Sequence, residues 1–200
     1  MSAIFPSMIG LYAFAVIYAM WYFLELIDQV YITMQHKESK ILIRNDRLSM
    51  LGLVAGSVMI VSLAFAFGIA RANSGFAALP QFFFYIGISM MVLGEIIRQT
   101  SIRTLGKSFT AAVIIVEGQR LVRKGMYKHV RHPGYLGGII SMVGIGFAMQ
   151  SWAAVLAALL IVASVYMSRI YLEEEALRKH FGPEYDDYAR KTSMLLPHVL

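Results

Sequence analysis

Residues 125–138, Gly-Met-Tyr-Lys-His-Val-Arg-His-Pro-Gly-Tyr-Leu-Gly-Gly, crowd several kinds of reactive or ligand-binding group into one stretch, and an acidic run at Glu173, Glu174 and Glu175 answers them. Arg131 is a permanent cation, and His132 can exchange a proton near neutral pH. Tyr127 and Tyr135 offer π-faces and hydroxyls suited to a planar ring or a cation. Pro133 favours an extended backbone at His132 and can itself open a helix. The first turn of such a helix has free backbone N–H groups, and Gly134, Gly137 and Gly138 allow a ligand or a second helix to come close. With Arg131 beside it, that helix end suits a carboxylate or a phosphate. Basic residues and tyrosines of this kind also anchor membrane helices without any ligand. What the stretch means therefore depends on the elements that carry it.

Those elements belong in a bilayer. Hydrophobic residues make up 58% of the 200 positions and charged residues only 15%, too little polar surface to cover a soluble globule. The absence of cysteine removes disulfides, a thiolate nucleophile and a zinc-thiolate site. A net charge of +6 would suit nucleic acid, but in so apolar a chain it reads as cytoplasmic loops beside anionic lipid, and no nucleic-acid partner is expected. The N-terminus lacks a basic leader and a small-residue cleavage site, so the first apolar stretch reads as a retained span.

In chain order, residues 8–27 form the first span, ending at Glu25 and Asp28. A loop carrying Lys37, Lys40, Arg44 and Arg47 leads to a second span over 50–70, where Gly52 and Gly56 are spaced to let helices approach and leave oligomer formation open. Pro80 opens a third span over 82–97, with Glu95 and Arg98 expected as an interfacial pair. Residues 100–130 read as a structured loop, basic and glycine-bearing, with a β-branched run at 113–116. Residues 134–149 and 152–168, separated only by Gln150 and Ser151, predict an antiparallel helical hairpin, each arm short for a full crossing. Gly144 and Gly146 inside it read as packing residues. Beyond Arg169 and the glutamates a charged helix should run to Phe181 and break at Gly182 and Pro183.

The expectation is an all-α, polytopic membrane protein of about five transmembrane helices, one membrane domain over 1–200. Residues 1–98 supply three spans, and 99–200 supply a cytoplasmic loop, the hairpin and a C-terminal helix. Of the eighteen lysines and arginines only Arg71 then falls on the far side, which puts the N-terminus outside and the C-terminus in the cytoplasm. The hairpin also returns Glu173 and Glu174 to the membrane face where Arg131 and His132 lie. Adjacent on a helix, the two glutamates point about 100° apart and cannot both face one atom.

The C-terminal half resembles the isoprenylcysteine carboxyl methyltransferase family. The resemblance is carried by Gly-Glu-Ile-Ile-Arg at 94–98, Leu105, Gly106 and Phe109, Leu121 and Val122, Gly-x-Tyr from Gly125 to Tyr127, and Arg-His-Pro-x-Tyr-x-Gly from Arg131 to Gly137. Arg169, the glutamate pair, Phe181, Gly182, Tyr185, Tyr188, Leu196 and Pro197 complete it. It implies S-adenosylmethionine as cofactor, S-adenosylhomocysteine as product, and a lipidic or prenylated acceptor entering from the bilayer. It further implies that Gly125, Tyr127, Arg131, His132, Pro133, Tyr135, Gly137, Glu173 and Glu174 form the cofactor site, and that Arg169 and Glu174 hold or orient the acceptor. The same residues also suit a lipid-amine N-methyltransferase, in which His132 or Glu174 would take a proton. More distant alternatives are a membrane reductase of the sterol-reductase kind and a non-catalytic membrane protein.

Overall fold

In the computed structural model, which describes residues 4–35, 41–44, 47–110 and 113–196, the chain folds into α1 (Met8–Gln35), β1 (Ile41–Arg44), α2 (Arg47–Ser74) and α3 (Phe82–Leu105). After a 3-10 turn, β2 (Ile114–Val116) and a second 3-10 turn (Gly125–Lys128) come α4 (Pro133–Ala148), α5 (Trp152–Phe181) and α6 (Pro183–Lys191). Lys37, Lys40 and Pro197 lie outside the described residues. Helices α1, α2, α3 and α5 are long and apolar enough to cross a membrane, and the sixteen residues of α4 form a shorter apolar helix between them. Ile9, Val16, Leu160 and Tyr171 stay exposed on α1 and α5, while Phe14, Ile60, Phe84, Met142 and Ile145 fill the interior. An outward apolar surface around a packed apolar core is how a chain behaves when its solvent is lipid. The protein is a multi-pass membrane protein.

Helices α3 and α4 make the tightest junction, and small residues permit it. A side chain at Gly94 would stand 2.5 Å from the Gly137 carbonyl oxygen, and one at Gly137 would stand 2.5 Å from that of Gly94. Ser141 adds an interhelical hydrogen bond, its Oγ donating to the Met91 carbonyl at 3.2 Å. Without a hydrophobic driving force inside lipid, such close backbone contact is what holds helices together. Gly144 meets α3 and Gly146 meets the backbone of α5, the packing roles expected of them. Gly56 packs on Val165 of α5, whereas Gly52 meets nothing nearby among the described residues, so only one of that pair serves a helix contact within the chain.

The hairpin forms as expected. Gln150 turns with φ of 53°, Trp152 N–H donates to the Ala77 carbonyl at 2.9 Å, and Leu79 N–H donates to the Gln150 carbonyl at 2.8 Å. These bonds tie the α2–α3 and α4–α5 connections together at the end of the bundle remote from the charged stretch.

Three expectations change. Helix α3 continues past residue 97 to Leu105, because its polar residues bond back onto their own helix: Thr100 Oγ1 to the Ile96 carbonyl, Ser101 Oγ to that of Ile97 and Thr104 Oγ1 to that of Thr100, each at 2.7 Å. The division after Arg98 therefore falls within a continuous helix. Arg98 turns away from Glu95 and pairs with Glu25 of α1, Nη2 donating to Oε2 at 2.7 Å. The run at 113–116 forms a short antiparallel pair with the first loop, Ile41 opposite Val116 and Arg44 opposite Ile114, a minor β element in an otherwise helical fold. Val113 and Ile115 bury themselves against Ala176 on the far end of α5.

Candidate active site

The charged stretch lies where the end of α3, the start of α4 and the protruding end of α5 meet. The second 3-10 turn delivers the chain to His132, whose backbone (φ −124°, ψ 56°) lies between the helical and extended regions, not in the extended one expected before a proline, and leads into Pro133 in the first turn of α4. The segment after α6 runs alongside. Arg131 N–H donates to the Ser193 carbonyl at 2.8 Å, His132 N–H to that of Met194 at 3.1 Å, and Ser193 N–H to that of His129 at 3.0 Å.

The two glutamates serve separate networks, as their angular offset on α5 requires. Glu174 Oε1 accepts from Arg131 Nε at 2.6 Å and lies 3.0 Å from His132 Nε2. Arg131 Nη1 also donates to the Ala189 carbonyl at 2.8 Å and to that of Thr192. One guanidinium thus locks α4, α5 and the end of α6. Glu173 Oε2 accepts from Tyr135 Oη at 2.7 Å, and the same hydroxyl accepts from Arg169 Nε at 2.8 Å. Arg169 is only 3% exposed. A charge so buried persists only with close partners, so this is a built polar site, not a solvated helix face.

Beside these networks opens a cavity of about 1140 Å³ including its mouth. Tyr127, Arg131, His132 and Tyr135 line one side, Arg169 and Glu173 the α5 side, and Tyr185 and Tyr188 the α6 side. Leu121, Val122, Leu177 and Phe181 provide apolar wall. The Tyr188 hydroxyl donates to the Tyr127 carbonyl at 2.8 Å, which ties α6 to the charged stretch. Burial pushes the Tyr188 phenol up to about 12, against the pull of Arg131 and Arg123. Burial, reinforced by nearby glutamate charge, also holds Tyr127 and Tyr185 well above the ordinary phenol range, so all three rings face the cavity as neutral groups. Tyr185 is fully buried, and its hydroxyl makes no hydrogen bond among the described residues.

Four residues expected to contact a ligand stand outside the cavity wall. Glu174 sits behind it, its Oε1 shared between Arg131 and His132. Pro133 is buried as the opening residue of α4, Gly137 is packed against α3, and Gly125 provides a left-handed turn (φ +59°) beside Thr104. Gly134 lines the cavity in the first turn of α4, where a backbone N–H has no carbonyl partner within the helix. The sequence reading missed Arg98 and Asp28, which reach the cavity from α3 and α1. The positions of Glu25 and Asp28 at the end of the first span hinted at a shared face, but nothing in their spacing shows that α3 would meet it.

The family model described as the isoprenylcysteine carboxyl methyltransferase (ICMT) family matches residues 86–179, from α3 through the glutamates of α5. A probable protein-S-isoprenylcysteine O-methyltransferase of Oryza sativa is 35% identical over 128 residues, covering 62% of this chain and 67% of its own length. Protein-S-isoprenylcysteine O-methyltransferase B of Arabidopsis thaliana is 36% identical over 115 residues, covering 56% and 58%. The solved structure of the eukaryotic intramembrane Ras methyltransferase ICMT superposes with a TM-score of 0.65 at 22% identity, covering 95% of this chain and 68% of that one, and so shares its fold.

Proposed function

Because the chain belongs to the isoprenylcysteine carboxyl methyltransferase family, we propose that it transfers a methyl group from S-adenosylmethionine to the carboxylate of a prenylcysteine-like lipid at the cavity between α3, α4, α5 and α6. The observation that carries this reading is the joining, in one cavity at the end of the apolar helices, of buried cations with an aromatic and apolar wall. The residues present suit the cofactor. The free N–H groups at the start of α4 would take its carboxylate, Glu173 its ammonium, and Tyr127, Tyr185 and the apolar wall its adenine. When bound, the cofactor supplies a methyl group already activated by a sulfonium.

A carboxylate acceptor is ionised at neutral pH, so methyl transfer to it needs no general base. It needs alignment, a cation to hold the acceptor and exclusion of water. Arg169 and Arg98 both face the cavity, and each is held by another helix, Arg169 through Tyr135 and Arg98 through Glu25. Arg169 orients the carboxylate, with Arg98 beside it. Glu174 acts from behind by fixing Arg131 and His132, and the α6 tyrosines keep water from the reacting groups. Charge placement supports an N-terminus outside the cell and a site open to the cytoplasm.

Titration of the detergent-solubilised protein with S-adenosylhomocysteine tests the cofactor assignment. Saturable heat is expected, with an affinity weakened about tenfold by Glu173→Gln, the loss of one charged hydrogen bond. No heat at millimolar ligand in protein that remains folded would refute it.

A further inference from the structure

A second cleft, about 650 Å³ with its open side, lies between α1 and α3 and takes no part in the chemistry above. Along α3 it is lined by Met91, Glu95, Gln99 and Arg103, four residues apart and so on one face, spanning about 18 Å from the apolar end to the basic end. Trp21 faces it from α1. Two buried polar atoms there have no hydrogen-bond partner among the described residues, Glu95 Oε2 and Trp21 Nε1, on side chains of residues only 5% and 8% exposed. Glu95 Oε1 is already satisfied by Gln99 Nε2 at 2.9 Å, and Gln99 gives its other proton to Asp28 at 2.6 Å. Gln99 has then used both its protons, and no hydrogen bond among the described residues reaches the second oxygen.

An unmet carboxylate oxygen wants a donor and an indole N–H wants an acceptor, and one hydroxyl can be both. Above that pair stands the Arg103 cation, suited to a phosphate, and below it an apolar floor suited to a hydrocarbon chain. Phosphate, hydroxyl and chain, in that order, describe a lysophospholipid. A diacyl phospholipid has an ester where the hydroxyl is needed, and a prenyl chain offers neither donor nor acceptor. We propose that the α1–α3 cleft is a binding site for a lysophospholipid, with its free glycerol hydroxyl between Glu95 and Trp21 and its phosphate at Arg103. This site is independent of the methyl-transfer reading.

The chain has two tryptophans, so Trp152→Phe leaves Trp21 as the only reporter. Titration of that variant in nanodiscs with lysophosphatidylcholine brominated in its acyl chain should quench Trp21 saturably, whereas brominated diacyl phosphatidylcholine should give only weak, non-saturating quenching. Glu95→Ala and Arg103→Ala should each raise the lysolipid midpoint about tenfold. Arg103 is exposed, so its variant keeps the fold and decides the matter even if the Glu95 variant does not fold. Equal quenching by both lipids, or a midpoint unmoved by Arg103→Ala, would overturn the proposal.

Discussion

Glu173 and Glu174 are neighbours in sequence but do different work, and substitution should separate them. Glu174 compensates two buried basic groups, so Glu174→Ala leaves Arg131 and His132 uncompensated and should cost about 3–5 kcal/mol of stability, visible as a large fall in melting temperature. Tyr135→Phe removes a hydroxyl and no charge, so it should lower the melting temperature less than Glu174→Ala while lowering kcat/KM for the acceptor about tenfold, because Arg169 loses the hydroxyl that holds it. If Glu174→Ala melts like the parent, Glu174 is not the tie the geometry makes it. Alkaline titration gives a further residue-scale test. Tyr188 ionises at about 12 when folded and near 10.0 when exposed, so the folded state holds its proton more tightly. Its contribution to stability is then complete below pH 10 and lost as pH rises toward 12. Phenolate absorbance should show a late fraction appearing together with loss of helix, and Tyr188→Phe should flatten that part of the stability curve.

Among the elements, the α3–α4 junction sets the site, because His132 and Tyr135 open the helix whose Gly137 lies against Gly94. Gly137→Val would drive a side chain into the α3 backbone and should abolish both cofactor binding and cooperative melting, whereas Gly52→Ala, with nothing nearby, should be neutral. A Gly137→Val protein that binds S-adenosylhomocysteine normally would show that the close approach is dispensable. The helices and the hairpin were legible in the sequence because apolar run length and two intervening polar residues specify them locally. So was the break at Gly182, where φ is +55° and Pro183 opens α6. The end of α3 was not, because Arg98 to Ser101 look like the start of a loop until their bonds to the preceding turn and to α1 are seen. Nor was the β1–β2 pair, since a short β-branched run does not name a partner some seventy residues away.

At the scale of the whole molecule, the charged ends of α1, α3, α4 and α5 gather at one end of the bundle. The other end carries Arg71, bonded through Nη2 to the Ile4 carbonyl at 2.8 Å. That asymmetry predicts a cytoplasmic C-terminus, and a reporter fused there should be active only in the cytoplasm; activity on the opposite side would reverse the orientation. The candidate site was legible in part for the same reason. The Arg-His-Pro turn and the glutamates each sit beside a span whose direction can be counted, so their convergence follows from topology. Arg98 and Asp28 were not legible as site residues, because they enter from helices whose rotation is set only by packing. The central claim is that this end of the bundle methylates a lipid-borne carboxylate. It is tested most directly by giving the purified protein methyl-labelled S-adenosylmethionine together with a prenylcysteine analogue or an aminolipid. The expected result is label in the prenylcysteine fraction, released by mild base as an ester would be; label that is base-stable, or found only in the aminolipid, would contradict the account.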